Sequence, residues 1–276
     1  MRTKFVNTYG LTSRDLFALI FSIIFHDVGN WLSRSEHQRK ISQIFDLVFP
    51  PNDFHEVEGI RRIICDAGKA HCGEALDGSS HTLADVDQTG QLFSQEVKLK
   101  EIATILRFAD ELAEGPHRTS SFMHRLKKYT DASRIYHDYA NSVSTYIDHG
   151  NNRIALTYTL NIRVTQKNKM YKSDEKKLIE LLPYIYCRID KLNGERRYAI
   201  YHSNIINKFN RTTVTFIFRK NHEDIEDLNG ISKNIEINDL VIPGGRTGEF
   251  LNFHNEYKPE DLIEKIKQKI EGENGL

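Results

Sequence analysis

The spacing of apolar residues changes near residue 140, and this change most limits the folds open to the chain. Upstream, apolar residues recur every three or four positions, as at Val57, Ile60 and Ile64, which predicts amphipathic helices. Downstream, apolar and mostly polar residues alternate from Ile154 to Val164, which predicts a half-buried strand. Segregated helices and strands indicate an α+β fold. We expect an all-α domain over residues 1–138 and a smaller α+β module over residues 139–276.

Capping residues and prolines divide the first half into helices. Thr12 and Asp15 form a capping-box pattern, and the run from Leu16 to Phe25 is apolar nearly all round, which predicts a buried central helix. Ser35 is expected to cap the next helix. The further helices predicted here run from Ser35 to Pro50, from Asp53 to about Ala67, and from about Ser94 to Glu114, with a loop over residues 73–90 before the last.

The second half shows strand and helix patterns in turn. The stretch from Asp148 to Asn152 predicts a turn, so Val143 to Ile147 is expected to form a hairpin with the alternating strand. The order suggests a split βαβ arrangement. The later elements predicted are a helix over Ser173 to Leu192, strands over Thr212 to Phe218 and Ile235 to Ile242, and a helix from Pro259 to about Ile270.

Composition excludes several classes of protein. The 38 basic and 38 acidic residues leave no net charge, which argues against nucleic acid as the main partner. Three cysteines, an odd number in no metal-ligand spacing, argue against a disulfide framework and favour the cytoplasm. The most apolar run, Leu16 to Phe25, is far shorter than the roughly 20 residues that cross a bilayer, so no membrane partner is expected.

Five polar residues lie where the helical patterns face a core: His26, Asp27, His37, His71 and Asp110. His26 and Asp27 end an apolar helix, where an ionised carboxylate is costly unless it is paired or binds a cation. The other three are four or seven positions from apolar residues of their own helices, which turns them inward. Four helices therefore direct an imidazole or a carboxylate towards one core.

This mixture of nitrogen and oxygen donors predicts one or two divalent metal ions, which could be Mn, Mg, Fe, Co, Ni or Zn. The alternative is that these groups hydrogen-bond to one another or to the backbone. His55 is out of phase with its helix and His81 lies in a Gly- and Ser-rich loop, so both are weaker candidates.

The chain resembles the HD superfamily of metal-dependent phosphohydrolases over about residues 10–125. The resemblance rests on four segments, which are Ile23–Asn30 around His26-Asp27, Glu36-His37, Ile63–His71, and Leu106–Leu112 around Asp110 with its continuation to Arg118. It implies an HD-like helical domain in the first half. It also implies hydrolysis of a nucleotide or a similar small phosphorylated molecule by a metal-activated water.

The resemblance assigns roles to individual residues. It implies that His26, Asp27 and Asp110 bind a first metal and that His37 and His71 are available to a second. Asp27 could also orient the attacking water. The candidates to hold phosphate are Lys69, Arg107 and Arg118. For Arg107, a surface ion pair with Glu111 four residues later is as good an explanation as phosphate binding. For Arg118, a plain surface role is an equal alternative to phosphate binding.

One expected feature of HD domains is missing, because they normally supply another metal-binding His before the His-Asp pair. No His occurs before His26. Either the start lies downstream of that helix, or another residue replaces the ligand, or the domain no longer hydrolyses. The rival functions are therefore a metal- or nucleotide-binding sensor or scaffold with a protein partner or a second copy, and, less supported by charge, a nuclease for single strands. The stretch from Pro243 to Gly248 is expected to be a plain turn rather than a phosphate loop.

Overall fold

The computed structural model describes residues 10–50, 55–72, 74–75, 77–120, 130–225, 234–237 and 250–272. The predicted turn at Pro243–Gly248 lies outside these residues, as do the start of the helix predicted from Asp53 and the end of the strand predicted to Ile242. The chain packs as two compact units, one of residues 1–111 and 196–208 and the other of residues 112–195 and 209–276. We predicted two domains that meet between residues 138 and 139. Compact packing does not show which parts fold independently, so this boundary stays a prediction.

The described part of the first unit contains four helices, a small hairpin, short 3₁₀ turns and the segment of residues 196–208. The helices are α1 (Ser13–Phe25), α2 (His37–Val48), α3 (His55–Ala70) and α4 (Leu99–Leu112). The hairpin pairs β1 (Gly90–Leu92) with β2 (Gln95–Val97) in antiparallel register. Buried apolar residues of α1, α3, α4 and the hairpin form the main core, which confirms a helical first half.

The predicted capping box at the start of α1 is present. The Asp15 backbone N–H donates to Thr12 Oγ1 at 3.2 Å, and Thr12 N–H donates to Asp15 Oδ2 at 2.7 Å. The prediction that α1 is buried all round is wrong. Ala18 is buried, but Ile20 and Ile24 on other faces are more than half exposed. An apolar sequence makes burial favourable, but only the packing of neighbouring elements decides which faces are covered.

The helix predicted from Ser94 begins instead at Leu99, because a hairpin precedes it. Phe93 and Ser94 form the turn between β1 and β2, with φ values of 51° and 57°. This left-handed conformation is incompatible with an α-helix. Leu92 and Val97 are buried in the main core, and Val97, which was predicted to be helical, belongs to β2.

The returning segment of residues 196–208 is fastened to α4. Buried Glu101 accepts hydrogen bonds from Ser203 Oγ, from Asn204 N–H at 3.1 Å and from Ile205 N–H at 3.2 Å. Hydrogen bonds to a buried carboxylate are among the stronger ones in proteins. They hold a distant part of the sequence beside the helices of the first unit.

The second unit contains a mixed sheet with helices, which confirms the α+β class. Its elements are α5 (Asp131–Ser142), β3 (Val143–Asp148), β4 (Arg153–Ile162), α6 (Lys172–His202), β5 (Arg211–Lys220), β6 (Glu223–Asp224), β7 (Ile235–Ile237), α7 (Phe250–Phe253) and α8 (Pro259–Gly272). The predicted hairpin is present as β3 and β4, with Val143 opposite Tyr158. Residues of β4 alternate between buried and partly exposed, as their sequence pattern predicts.

The βαβ unit is present, but it is not split. Strands β4 and β5 are parallel and adjacent, with Ile154 opposite Thr212, and α6 connects them. Helix α6 also continues to His202, ten residues beyond the predicted Leu192. Asn193, the residue after the predicted end, is buried inside the helix, and its side-chain oxygen accepts a hydrogen bond from Thr212 Oγ1 at 2.8 Å.

The three cysteines, Cys65, Cys72 and Cys187, are free, which agrees with the predicted absence of a disulfide framework. Among the described residues, no helix combines the length and the apolar character needed to cross a membrane.

Candidate metal centre

Helix α1 ends at the predicted centre of the site. The imidazole of His26 donates from Nδ1 to the carbonyl of Ile23 at 2.8 Å, and a 3₁₀ turn over Val28–Trp31 follows Asp27. His26 Nε2 lies 3.7 Å from Asp27 Oδ2. The helix end and the turn therefore hold the two side chains side by side.

A glycine brings the start of α2 against this turn. A Cβ at Gly29 would lie 1.9 Å from the carbonyl oxygen of His37, so no other residue fits without moving the backbone. The close approach places His37 Nε2 3.3 Å from Asp27 Oδ1. Ser35 was predicted to cap α2, but the N-cap is Glu36, which makes no side-chain capping bond. The backbone contact, rather than a cap, fixes where α2 begins.

His71 follows directly after α3 and completes the group of imidazoles. A Cβ at Gly68 would lie 2.3 Å from Ile41 Cδ1, which shows how closely α3 packs on α2. The side chain of His71 is 2% exposed, and its Nε2 lies 3.7 Å from Asp27 Oδ1 and 3.4 Å from His37 Nε2. Three imidazoles from three segments thus surround one carboxylate.

Asp110, in the last turn of α4, is the fifth predicted ligand. Its Oδ1 lies 3.8 Å from His26 Nε2. All five residues predicted as metal ligands are therefore close together in the first unit, although their metal binding stays a prediction. The two carboxylates are more exposed than the imidazoles, at 46% for Asp27 and 36% for Asp110, so solvent reaches the site from the carboxylate side.

The three imidazoles share one hydrogen-bonding arrangement. Each uses Nδ1 to bond the carbonyl oxygen three residues earlier: His26 bonds Ile23, His37 bonds Arg34 and His71 bonds Gly68. A carbonyl oxygen only accepts, so Nδ1 carries the hydrogen and Nε2 faces the site. Metal-binding histidines are commonly oriented by such a bond from the other ring nitrogen. The donor set and its orientation fit a divalent metal ion.

Charges within the cluster shift its protonation. The His71 imidazole holds the pKa of Asp27 down to about 2. Burial alone would lower the pKa of His71, but Asp27, Cys72 and the Gly68 carbonyl raise it to about 10. The pKa of His26 is raised chiefly by Asp110. Without a metal, His71 therefore retains a proton that offsets the charge of Asp27.

The predicted phosphate-binding cations lie in three different surroundings. Lys69 is exposed and lines a cleft with Asp66, Glu74, Asp85 and Asp87. Arg118 belongs to the second unit, where it lies 3.3 Å from Glu114. Their roles stay predictions.

Arg107 supports the end of α3. Its Nη1 donates to Thr82 Oγ1 at 2.6 Å and to the carbonyl of Ala70 at 3.4 Å. The guanidinium lies 4.9 Å from the centre of the Tyr198 ring. Because Ala70 directly precedes His71, these contacts favour a role in positioning that imidazole.

Sequence reasoning missed one residue of the cluster. Cys72 Sγ lies 3.2 Å from His37 Nε2, and Cys72, His37 and His71 form a group that could hold a metal. The three cysteines are in no metal-ligand spacing with one another, and the sequence signal for Cys72 is that it directly follows His71. Of the weaker candidates, His81 is exposed with its ring 5.8 Å from that of Tyr198, and the side chain of His55 lies outside the described residues.

Comparison with known proteins identifies the family. No curated protein and no solved structure gives a significant match to the chain. A profile of the HD-CE family matches residues 6–191, which is more than half of the chain and includes every residue of the cluster. The chain therefore belongs to the HD-CE family and carries an HD-type domain.

Proposed function

We propose that the chain is a divalent-metal-dependent phosphohydrolase or phosphodiesterase that acts on a nucleotide or a similar small phosphorylated molecule. The observation that carries the proposal is the convergence of three imidazoles and two carboxylates, with each Nε2 turned inwards. The family supports the same class of chemistry. The free thiols support a reducing, cytoplasmic setting.

In this proposal, each cluster residue has a role in holding metal or water. His26, Asp27 and Asp110 hold one ion, and His37 with His71 are available to a second. A divalent ion there would polarise a phosphoryl group and lower the pKa of a coordinated water. Asp27, whose pKa is held at about 2, stays ionised at neutral pH and can accept a hydrogen bond from the attacking water.

The substrate would approach from the side on which Asp27 and Asp110 are exposed. Lys69 and Arg118 remain the candidates to bind its phosphate. Arg107 is assigned instead to positioning, because its guanidinium bonds Thr82 and the end of α3.

One sequence observation favours a second function, a metal- or nucleotide-binding sensor or scaffold. Residues 1–25 contain no His, whereas a typical HD domain has an additional His ligand before the His-Asp pair. A site without that ligand would bind its first metal more weakly, so binding without turnover is the alternative outcome.

A metal and substrate screen separates the two functions. Purified protein is loaded with Mn²⁺, Co²⁺ or Ni²⁺ and offered nucleoside mono-, di- and triphosphates and cyclic dinucleotides. The enzyme proposal expects turnover that Asp27→Asn abolishes. Asp224→Asn, the same change at an exposed carboxylate of the second unit, should leave turnover intact. Bound metal without turnover of any substrate would support the sensor instead.

A further inference from the structure

A thiol lies in the cluster where a phosphohydrolase site built from oxygen and nitrogen donors needs none. Cys72 Sγ is 3.2 Å from His37 Nε2, which is itself 3.4 Å from His71 Nε2. The three donor atoms lie within 4.8 Å of one another. A second group that could hold a metal, His26, Asp27 and His71, shares His71 with this one.

We propose that Cys72 is a thiolate ligand of a second metal position, shared with His37 and His71, that takes Zn²⁺ or another thiophilic divalent ion. The inference deepens the proposed function, because it rests on the same cluster being a metal site. It adds a sulfur donor and a metal preference.

The distances agree with a tetrahedral ion. With Zn–N near 2.0–2.1 Å and Zn–S near 2.3 Å, two nitrogens of a tetrahedron are about 3.3 Å apart, and nitrogen and sulfur are about 3.5 Å apart. The observed separations are 3.4 Å between the His37 and His71 nitrogens and 3.2 Å between His37 nitrogen and Cys72 sulfur. These two separations are within a few tenths of an ångström of ligand spacing, and the third, between donors of Cys72 and His71, is under 4.8 Å.

Asp27 lies beside the two imidazoles of this position. Its Oδ1 lies 3.3 Å from His37 Nε2 and 3.7 Å from His71 Nε2, close to the roughly 3.4 Å expected between oxygen and nitrogen ligands of one ion. Its other oxygen, Oδ2, lies 3.7 Å from His26 Nε2. Asp27 therefore faces His26 with one oxygen and the imidazoles of His37 and His71 with the other.

The chemistry of the donors gives the metal preference. Thiolate is a soft ligand that favours zinc, whereas carboxylate and water suit Mg²⁺ and Mn²⁺. The position with His26 and Asp110 has only imidazole and carboxylate donors. The two positions should therefore differ in the metals that they select.

Cobalt substitution tests the thiolate directly, without reference to activity. Metal-free protein is titrated with Co²⁺ under anaerobic, reducing conditions, and its absorption spectrum is recorded. A thiolate ligand gives an intense sulfur-to-cobalt charge-transfer band in the near ultraviolet, which imidazole and carboxylate ligands do not give. The band should be present in the wild type, absent in Cys72→Ser, and unchanged in Cys187→Ser, a control at an exposed cysteine of the second unit.

Zinc competition provides the second measurement. Cys72→Ser should weaken zinc binding at one position by more than the roughly 10–100-fold typical of losing an outer-sphere partner, and should change Mn²⁺ binding much less. A wild-type cobalt spectrum without the band, or a band that persists in Cys72→Ser, overturns the inference.

The outcomes separate this inference from the proposed function. Turnover by a protein whose cobalt form lacks the band leaves the phosphohydrolase standing and removes Cys72 as a ligand. A band without turnover keeps the thiolate position and refutes the enzyme. A wild-type protein that binds no metal refutes both.

Discussion

The metal-free cluster holds a proton that a bound metal must displace, so metal affinity should rise with pH. Burial lowers the pKa of His71, but interactions with Asp27 and Cys72 raise it more, to about 10 in the metal-free protein. An imidazole binds metal only after losing its Nε2 proton. Below about pH 10, metal binding through His71 therefore releases this proton to solvent.

The size of the effect follows from counting protons. Between pH 7 and 9 His71 remains protonated without metal, so each unit of pH should raise affinity about tenfold, or about 1.4 kcal/mol. Across this interval the gain from His71 alone is about 100-fold. The pKa of His26 is raised as well, chiefly by Asp110.

Calorimetry measures the released protons. Titrations with Zn²⁺ in buffers of different ionisation enthalpy at pH 7.5 should show at least one proton released per metal bound through His71. His71→Gln should release one proton fewer, and His81→Gln, at an exposed histidine, should match the wild type. An affinity that does not change between pH 7 and 9 would refute a protonated His71 ligand.

Three further predictions concern single carboxylates. Asp110→Ala should abolish metal retention, measured as metal per chain by mass spectrometry, and Asp66→Ala should leave it unchanged. Undiminished metal in Asp110→Ala would show that Asp110 is not a ligand. Glu101→Ala should lower the free energy of unfolding by about 2–4 kcal/mol, because buried donors lose their acceptor, and a loss below 1 kcal/mol in urea would contradict this. Although burial opposes it, Arg163 holds the pKa of Asp174 below its usual range, so this stabilisation is complete above about pH 4 and is lost as the pH falls through the folded pKa. Asp174→Asn should cost about 1–3 kcal/mol at pH 7 in urea unfolding, and the difference from the wild type should narrow below pH 4.

Local patterns predicted the elements whose determinants are local. The reciprocal bonds of Thr12 and Asp15 span one helical turn, so four residues suffice to predict the start of α1. Strand β4 shows its two faces in its own alternation, and its turn residues predict the hairpin with β3. Pro259 likewise begins α8 as predicted.

Elements that depend on distant partners were predicted less well. The hairpin turn at Phe93 and Ser94 requires left-handed backbone at residues without the usual turn signature. Helix α6 continues through Asn193 because that amide pairs with Thr212 on another strand. The exposed face of α1 could not be predicted either, because the sequence of a helix that is apolar on all faces does not show which face its neighbours cover.

The site was predictable to the extent that helical phase determines direction. The phase of His37, His71 and Asp110 relative to nearby apolar residues turns each towards the core. The structure brings His37 and His71 to Asp27, and Asp110 to His26. Cys72, like His71, lies just beyond the end of α3. Its position directly after His71 is the sequence signal for it, and its proximity to His37 appears only in three dimensions.

The spacing of the ligands is set by backbone contacts rather than by the ligands themselves. Gly29 leaves no room for a Cβ against the carbonyl of His37, and Gly68 leaves none against Ile41. Both glycines lie where α2 meets its neighbours, so together they fix how closely His37 approaches Asp27. An isolated His-Asp pair has no such constraint. Metal ligands must lie a few ångströms apart. Gly29, two residues after Asp27, is therefore as necessary to the cluster as the His-Asp pair, because a Cβ there would push the backbone of His37 away.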